Sequence, residues 1–170
     1  MLKQILAGHA RNAIPLYRQF ELEARKDGAR VIEAEHMLLA IAATPGTDAG
    51  SLLIDAGLDY QRLAAALRDE HRQSLAFAGV NPLVEGLTEA TLLDRPITFG
   101  TSAKAALGRA LHARHAQRSH RARLESIHLL IGILSAELGT VPRALTLADV
   151  DRAALISRAR AGVGVTAPTC

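Results

Sequence analysis

A shift of 92 positions lays this sequence over itself. It brings Glu33 onto Glu125, His36 onto His128, Leu38 onto Leu130 and Ile41 onto Ile133. Without a gap the register continues through Leu53 and Leu145, Ala56 and Ala148, Asp59 and Asp151, Leu63 and Leu155, and Arg68 and Arg160. Nine of the 36 positions from Glu33 to Arg68 are identical, where chance in an Ala/Leu-rich chain gives about 3. A tandem duplication fixes the problem the chain must solve: one unit written twice, each copy too small to hide its own apolar helix.

The unit is helical. Hydrophobic residues make up 49% of the 170, yet the aromatics are only Tyr17, Phe20, Tyr60, Phe77 and Phe99, so Leu, Ile, Val and Ala must build the core. Alanine and leucine favour helix, and the residues that strands prefer are scarce. The expected fold is therefore all-α, with two tandem four-helix repeats stacked about a pseudo-twofold axis in a single domain spanning 1–170. Repeat one is expected over about 12–72, a linker over about 73–101 and repeat two over about 102–161. A flexible tail at 162–170 ends the chain.

In the first copy the pattern predicts a helix from Asn12 to Asp27 ending at Gly28, with Pro15 confined to its first turn. A second runs from Glu33 to Thr44, apolar at Ala34, Met37, Leu38 and Ile41 and stopped by Pro45-Gly46. Thr47 or Asp48 caps a short third helix through Ala56, and Asp59 caps a fourth through about Arg72. The second copy repeats the plan. Thr101 or Ser102 caps a helix to about Ser119, followed by Glu125 to Leu138, a piece around Pro142 to Leu147, and a last helix capped by Asp149 or Asp151. The linker holds Leu83, Val84, Leu87, Leu92 and Leu93, too apolar for a free tether, and is expected to pack over the junction.

Several classes are set aside. No apolar run approaches the ~18 residues of a membrane span, and the N-terminus lacks the apolar centre of a secretory signal. Cys170 is the single cysteine, so no intrachain disulfide can form, which suits a cytoplasmic protein. Charge is split: residues 12–72 carry seven Lys/Arg against ten Asp/Glu, residues 102–161 ten against four. Such asymmetry marks a partner surface without naming the partner.

A doubled four-helix unit with Glu35-His36-Met37-Leu38-Leu39 at the head of its second helix resembles the N-terminal domain of the Clp unfoldases, the double Clp-N repeat. Ile127-His128-Leu129-Leu130-Ile131 answers in the second copy. Leu52 to Asp59 and Phe99 to Lys104 match two further stretches of the family, and the resemblance runs from about Asn12 to Ala161. In the family this domain precedes two ATPase modules. The sequence has no G-x-x-x-x-G-K-[ST] loop to hold nucleotide phosphates, so the resemblance implies a stand-alone, non-enzymatic domain without cofactors. It would bind substrate peptides, adaptors or Clp unfoldase and protease components, and, as in actinobacterial members, cyclic-peptide antibiotics. It would modulate or buffer a Clp protease system.

The resemblance also implies ligand-binding residues. Phe99 and Lys104 match positions on the inter-repeat surface that cyclic peptides use. Glu35 and Thr101 match parts of two phosphoarginine pockets, in which a carboxylate takes the guanidinium and a hydroxyl with helix N-terminal amides takes the phosphate. Ala10 falls where the first pocket has its threonine, Ile127 replaces the second glutamate and Thr101 is displaced by one position, so neither pocket is complete.

Other chemistry has a plainer reading. His36 and His128 are expected to pin the start of an apolar helix, bonding a loop carbonyl, with no carboxylate or nucleophile beside both for catalysis. His112, His115 and His120 lack the further ligand a zinc site needs, so no metal site is expected. Arg109, Arg114, Arg118, Arg121 and Arg123 make nucleic acid the alternative partner of repeat two. The small net charge and acidic first repeat weigh against it.

Overall fold

The computed structural model describes residues 10–80, 97–116 and 124–163, with side chains from Leu16 onward. Among these residues the order is α1 (Ala10–Lys26), β1 (Val31–Ile32), α2 (Ala34–Ala42), α3 (Asp48–Asp55), α4 (Tyr60–Phe77), β2 (Thr98–Phe99), α5 (Thr101–His115), α6 (Ser126–Leu134), α7 (Thr140–Leu147) and α8 (Arg152–Gly162). Four helices are followed by four of matching rank. The packing follows the same exchange: α1–α2, α2–α3, α2–α4 and α4–α7 in one direction answer α5–α6, α6–α7, α6–α8 and α8–α3 in the other, and α2 crosses α6 at the centre.

The central pair explains the duplication. All eight residues of α6 from Ile127 to Leu134 are buried, as are seven of the nine in α2. Met37, Leu38 and Ile41 of α2 join Leu130, Ile133 and Leu134 of α6 in one core with Leu53, Leu63, Leu145 and Leu155. Side chains that face all sides of a helix can be hidden only if another helix covers each side. Neither repeat has enough helices to do that alone.

The expected helices are all present, with shifted ends. α1 begins at Ala10, so Pro15 falls in its second turn rather than the first. Thr47, Asp59 and Asp151 cap α3, α4 and α8 through their side chains. Gly100 precedes α5, in place of the Thr101 or Ser102 cap expected there. α4 runs past Arg72 to Phe77 and stops two residues before Gly79, which takes a positive φ of 72°. The linker at 81–96, His120, and the tail beyond Val163 lie outside the described residues.

One element has no precedent in the sequence reading. β1 and β2 form a two-residue parallel pair, with Val31 opposite Thr98 and Ile32 opposite Phe99. The Gly100 amide extends it, donating to the Ile32 carbonyl at 2.8 Å. This pair lays the approach to α5 beside the approach to α2, and so sets the heads of these two helices together.

Buried charge is also paired. Glu23 on α1 is 1% exposed and accepts from Gln19 Nε2, Lys26 Nζ and the Tyr60 hydroxyl, each at 2.8 Å. A buried carboxylate with three donors is satisfied, and this one fixes α1 to the start of α4. The Lys26 ammonium is correspondingly pushed up, mainly by its hydrogen bond to Glu23.

Candidate functional site

Both central helices start on the same device. Glu33 and Glu125 stand at the N-caps of α2 and α6, and His36 and His128 turn back from three residues on. The Glu33 amide donates to His36 Nδ1 at 2.9 Å, and the Glu125 amide to His128 Nδ1 at 3.1 Å. Each carboxylate turns to the amide of its histidine, closing a capping box with imidazole in the place of the usual Glu or Gln. A carboxylate therefore does recur beside both histidines, and it is engaged in capping. The imidazole accepts an amide proton at Nδ1, instead of donating to a loop carbonyl, which leaves its own proton on Nε2.

The Nε2 ends differ. That of His36 lies 3.3 Å from an Asp27 carboxylate oxygen. That of His128 is buried and has no hydrogen-bond partner among the described residues. Burial pulls the His128 pKa below the ordinary histidine value, with Glu125 opposing and Arg114 assisting.

Glu33 has a second role. Its Oε2 accepts from the Ser102 amide at 2.9 Å and the Ser102 hydroxyl at 2.5 Å, and Ser102 Oγ accepts from the Ala34 amide at 2.8 Å. One carboxylate and one hydroxyl thus satisfy orphan amides at the heads of two helices from different repeats. Gly100 makes the room, since a Cβ there would collide with the Glu33 carboxylate. The sequence set Glu33 at the head of α2 and offered Ser102 as a cap for α5, but nothing in it joined the two. The signal for Glu33 was its coincidence with Glu125 in the 92-residue register.

Around this joint the four sequence-predicted ligand residues divide. Thr101, the first residue of α5, and Lys104 are exposed. Glu35, in the first turn of α2, is half-buried. Burial raises its carboxyl pKa, and the charges of Glu33 and Asp27 add to that. Phe99 is turned inward at 8% exposure, edge-on to Tyr17 at 5.7 Å and Phe20 at 6.4 Å between ring centres. It belongs to the core. The anionic slot at the head of α5 is already held by Glu33, which leaves Thr101 and Lys104 as its outward groups.

Further along α5, Arg109, His112 and His115 make local contacts, while Arg118, Arg121 and Arg123 lie outside the described residues. Ring nitrogens of His112 and His115 lie 2.9 and 2.7 Å from the Gly108 and Leu111 carbonyls, one turn back. Arg109 donates to the Gly132 carbonyl on α6 at 2.7 Å, and its burial lowers its pKa. Arg109 is therefore spent inside the fold. Among the described residues no three His, Cys, Asp or Glu are gathered as a metal site, and no helix is long and apolar enough to cross a membrane.

A concave surface away from this joint spans the two repeats. The C-terminal half of α4 and the outer side of α7 flank an open groove of about 690 Å3, lined by Gln73, Ser74 and Phe77 on one wall and Pro142, Thr146 and Leu147 on the other. Glu70 is buried at its floor, where it accepts from Arg143 Nε and from the Ser74 hydroxyl, both at 2.7 Å. Arg152 also lines the groove and donates to the Leu134 carbonyl at 3.0 Å and to that of Ala136, capping α6. Ending α4 near Arg72 concealed this groove. The stop signal in the sequence was Gly79.

Two equivalent four-helix units closed over a shared pair of apolar helices make the fold of a Clp N-terminal domain. The chain is similar to the crystal structure of the N-terminal domain of the caseinolytic protease associated chaperone ClpD from Arabidopsis thaliana. The TM-score is 0.63 at 18% identity, covering 91% of this chain and 94% of that one. At that identity the likeness is one of fold. No protein-family profile matches the sequence, and no curated protein matches it.

Proposed function

We propose that this domain is a non-enzymatic binding module of a Clp protease system, taking substrate peptides, adaptors or cyclic-peptide ligands and so modulating or buffering that system. The observation that supports the reading is the likeness of fold over nearly the whole chain, together with a sequence that holds no phosphate-binding loop. The first contact surface is the joint of α2 and α5. Lys104 and Thr101 offer a cation and a hydroxyl, and half-buried Glu35 a carboxylate. Phe99 stiffens the surface from the core through its contacts with Tyr17 and Phe20.

A crosslinking pull-down from the native cell, read by mass spectrometry, tests this. The expected result is recovery of Clp unfoldase or protease subunits, reduced by Lys104→Glu with Thr101→Ala. Phe99→Ala is a poor control, because deleting a buried ring costs about 3 kcal/mol or more and disturbs the fold itself. Failure to recover any Clp component, together with no binding of cyclic peptides that target Clp N domains, removes the reading. Nucleic acid gains no support from Arg109, whose guanidinium is turned inward to Gly132.

A further inference from the structure

We draw no further inference here: the strongest candidate, the buried Nε2 of His128 at the head of α6, has no hydrogen-bond partner among the described residues, and nothing in the structure shows what it faces.

Discussion

The two repeats begin their central helices on the same Glu-x-x-His cap, yet they pack these helices differently. In repeat one the inward face of α1 carries Leu16, Tyr17 and Phe20, and large rings fill the space beside β1 and β2. In repeat two the inward face of α5 carries Ala103, Ala106 and Ala110 with one large residue, Leu107, and α6 comes so close that a Cβ on Gly132 would collide with the Ala106 carbonyl and stand 2.7 Å from the Ala110 amide. One ancestral unit has thus found two solutions. Repeat one fills a wider space with aromatic rings, and repeat two removes side chains until backbones nearly touch. The second solution leaves less freedom, because a backbone atom cannot turn aside as a side chain can.

The sharpest way to break this comparison is at the equivalent positions Gly132 and Ala40. Gly132→Ala gains about 1 kcal/mol of intrinsic helix propensity. It loses more by forcing α6 off α5 and straining the Arg109 hydrogen bond to the Gly132 carbonyl. Overpacking of this kind typically costs about 1–3 kcal/mol, and more where backbone must yield. The net expectation is a loss of about 2 kcal/mol in urea denaturation. Ala40 is fully buried in repeat one, where a methyl is accommodated at the same register. Ala40→Gly should cost about 1 kcal/mol by propensity alone. Equal losses at the two sites would mean that the close crossing carries no special constraint.

Acid sharpens the contrast between the two caps. His128 accepts at Nδ1 and is buried, so its neutral form is the one that fits. Its pKa in the fold lies below the ordinary value near 6.5, so the unfolded chain binds this proton more readily than the folded one. The stability that the neutral ring confers is present above pH 6.5 and is lost as pH falls through that value towards the folded pKa. The slope for one such group is at most about 1.4 kcal/mol per pH unit. Gln at this position keeps a capping side chain and does not titrate. His128→Gln should therefore lose less stability than the wild-type chain between pH 7 and pH 5, in thermal melts followed by circular dichroism. Parallel curves for the two proteins would show that His128 is not the titrating group.

Where sequence reasoning succeeded, the relevant physics was local and repeated. The helices and the cap at Asp59 followed from residues within a few positions of one another, as did the alternatives Thr47 or Asp48 and Asp149 or Asp151, of which the fold uses Thr47 and Asp151. Ala34, Met37, Leu38 and Ile41 declared their buried helix by spacing alone. What escaped was set by partners far along the chain. The β1–β2 pair joins residues 67 apart in number, Val31 and Thr98. Glu33 reads as an ordinary first-turn acid until Ser102 is found against it. Phe99 matched a ligand-contact position by resemblance, and only its distant neighbours Tyr17 and Phe20 account for its burial. The groove depended on where a helix stops. Arg72 carries no stop signal, whereas Gly79 in the left-handed region does.

The smallest expected effect tests whether the repeats obey one backbone plan. After α3 the chain turns through Gly57 at a φ of 69°, and after α7 it turns at the equivalent Asp149 at a φ of 55°. Both positions follow an alanine C-cap and precede, by two residues, the aspartate that caps the next helix. A left-handed residue is needed there to reverse direction in so few positions. Glycine adopts it freely, and aspartate is among the few side chains that tolerate it. Asp149→Gly should relieve local strain but add unfolded-chain entropy, for a net gain of no more than about 0.5 kcal/mol. The reciprocal Gly57→Asp should cost about 1 kcal/mol, partly because a Cβ at Gly57 meets an Arg62 guanidinium nitrogen at 3.3 Å. That guanidinium bridges the repeats by donating to the Gly57 and Ala148 carbonyls, so the substitution also strains the seam. Chemical denaturation of the two single variants and their combination is the measurement. If the two changes share one backbone plan but act at separate turns, their effects add, whereas coupling beyond about 0.5 kcal/mol would trace to Arg62 holding both turns at once.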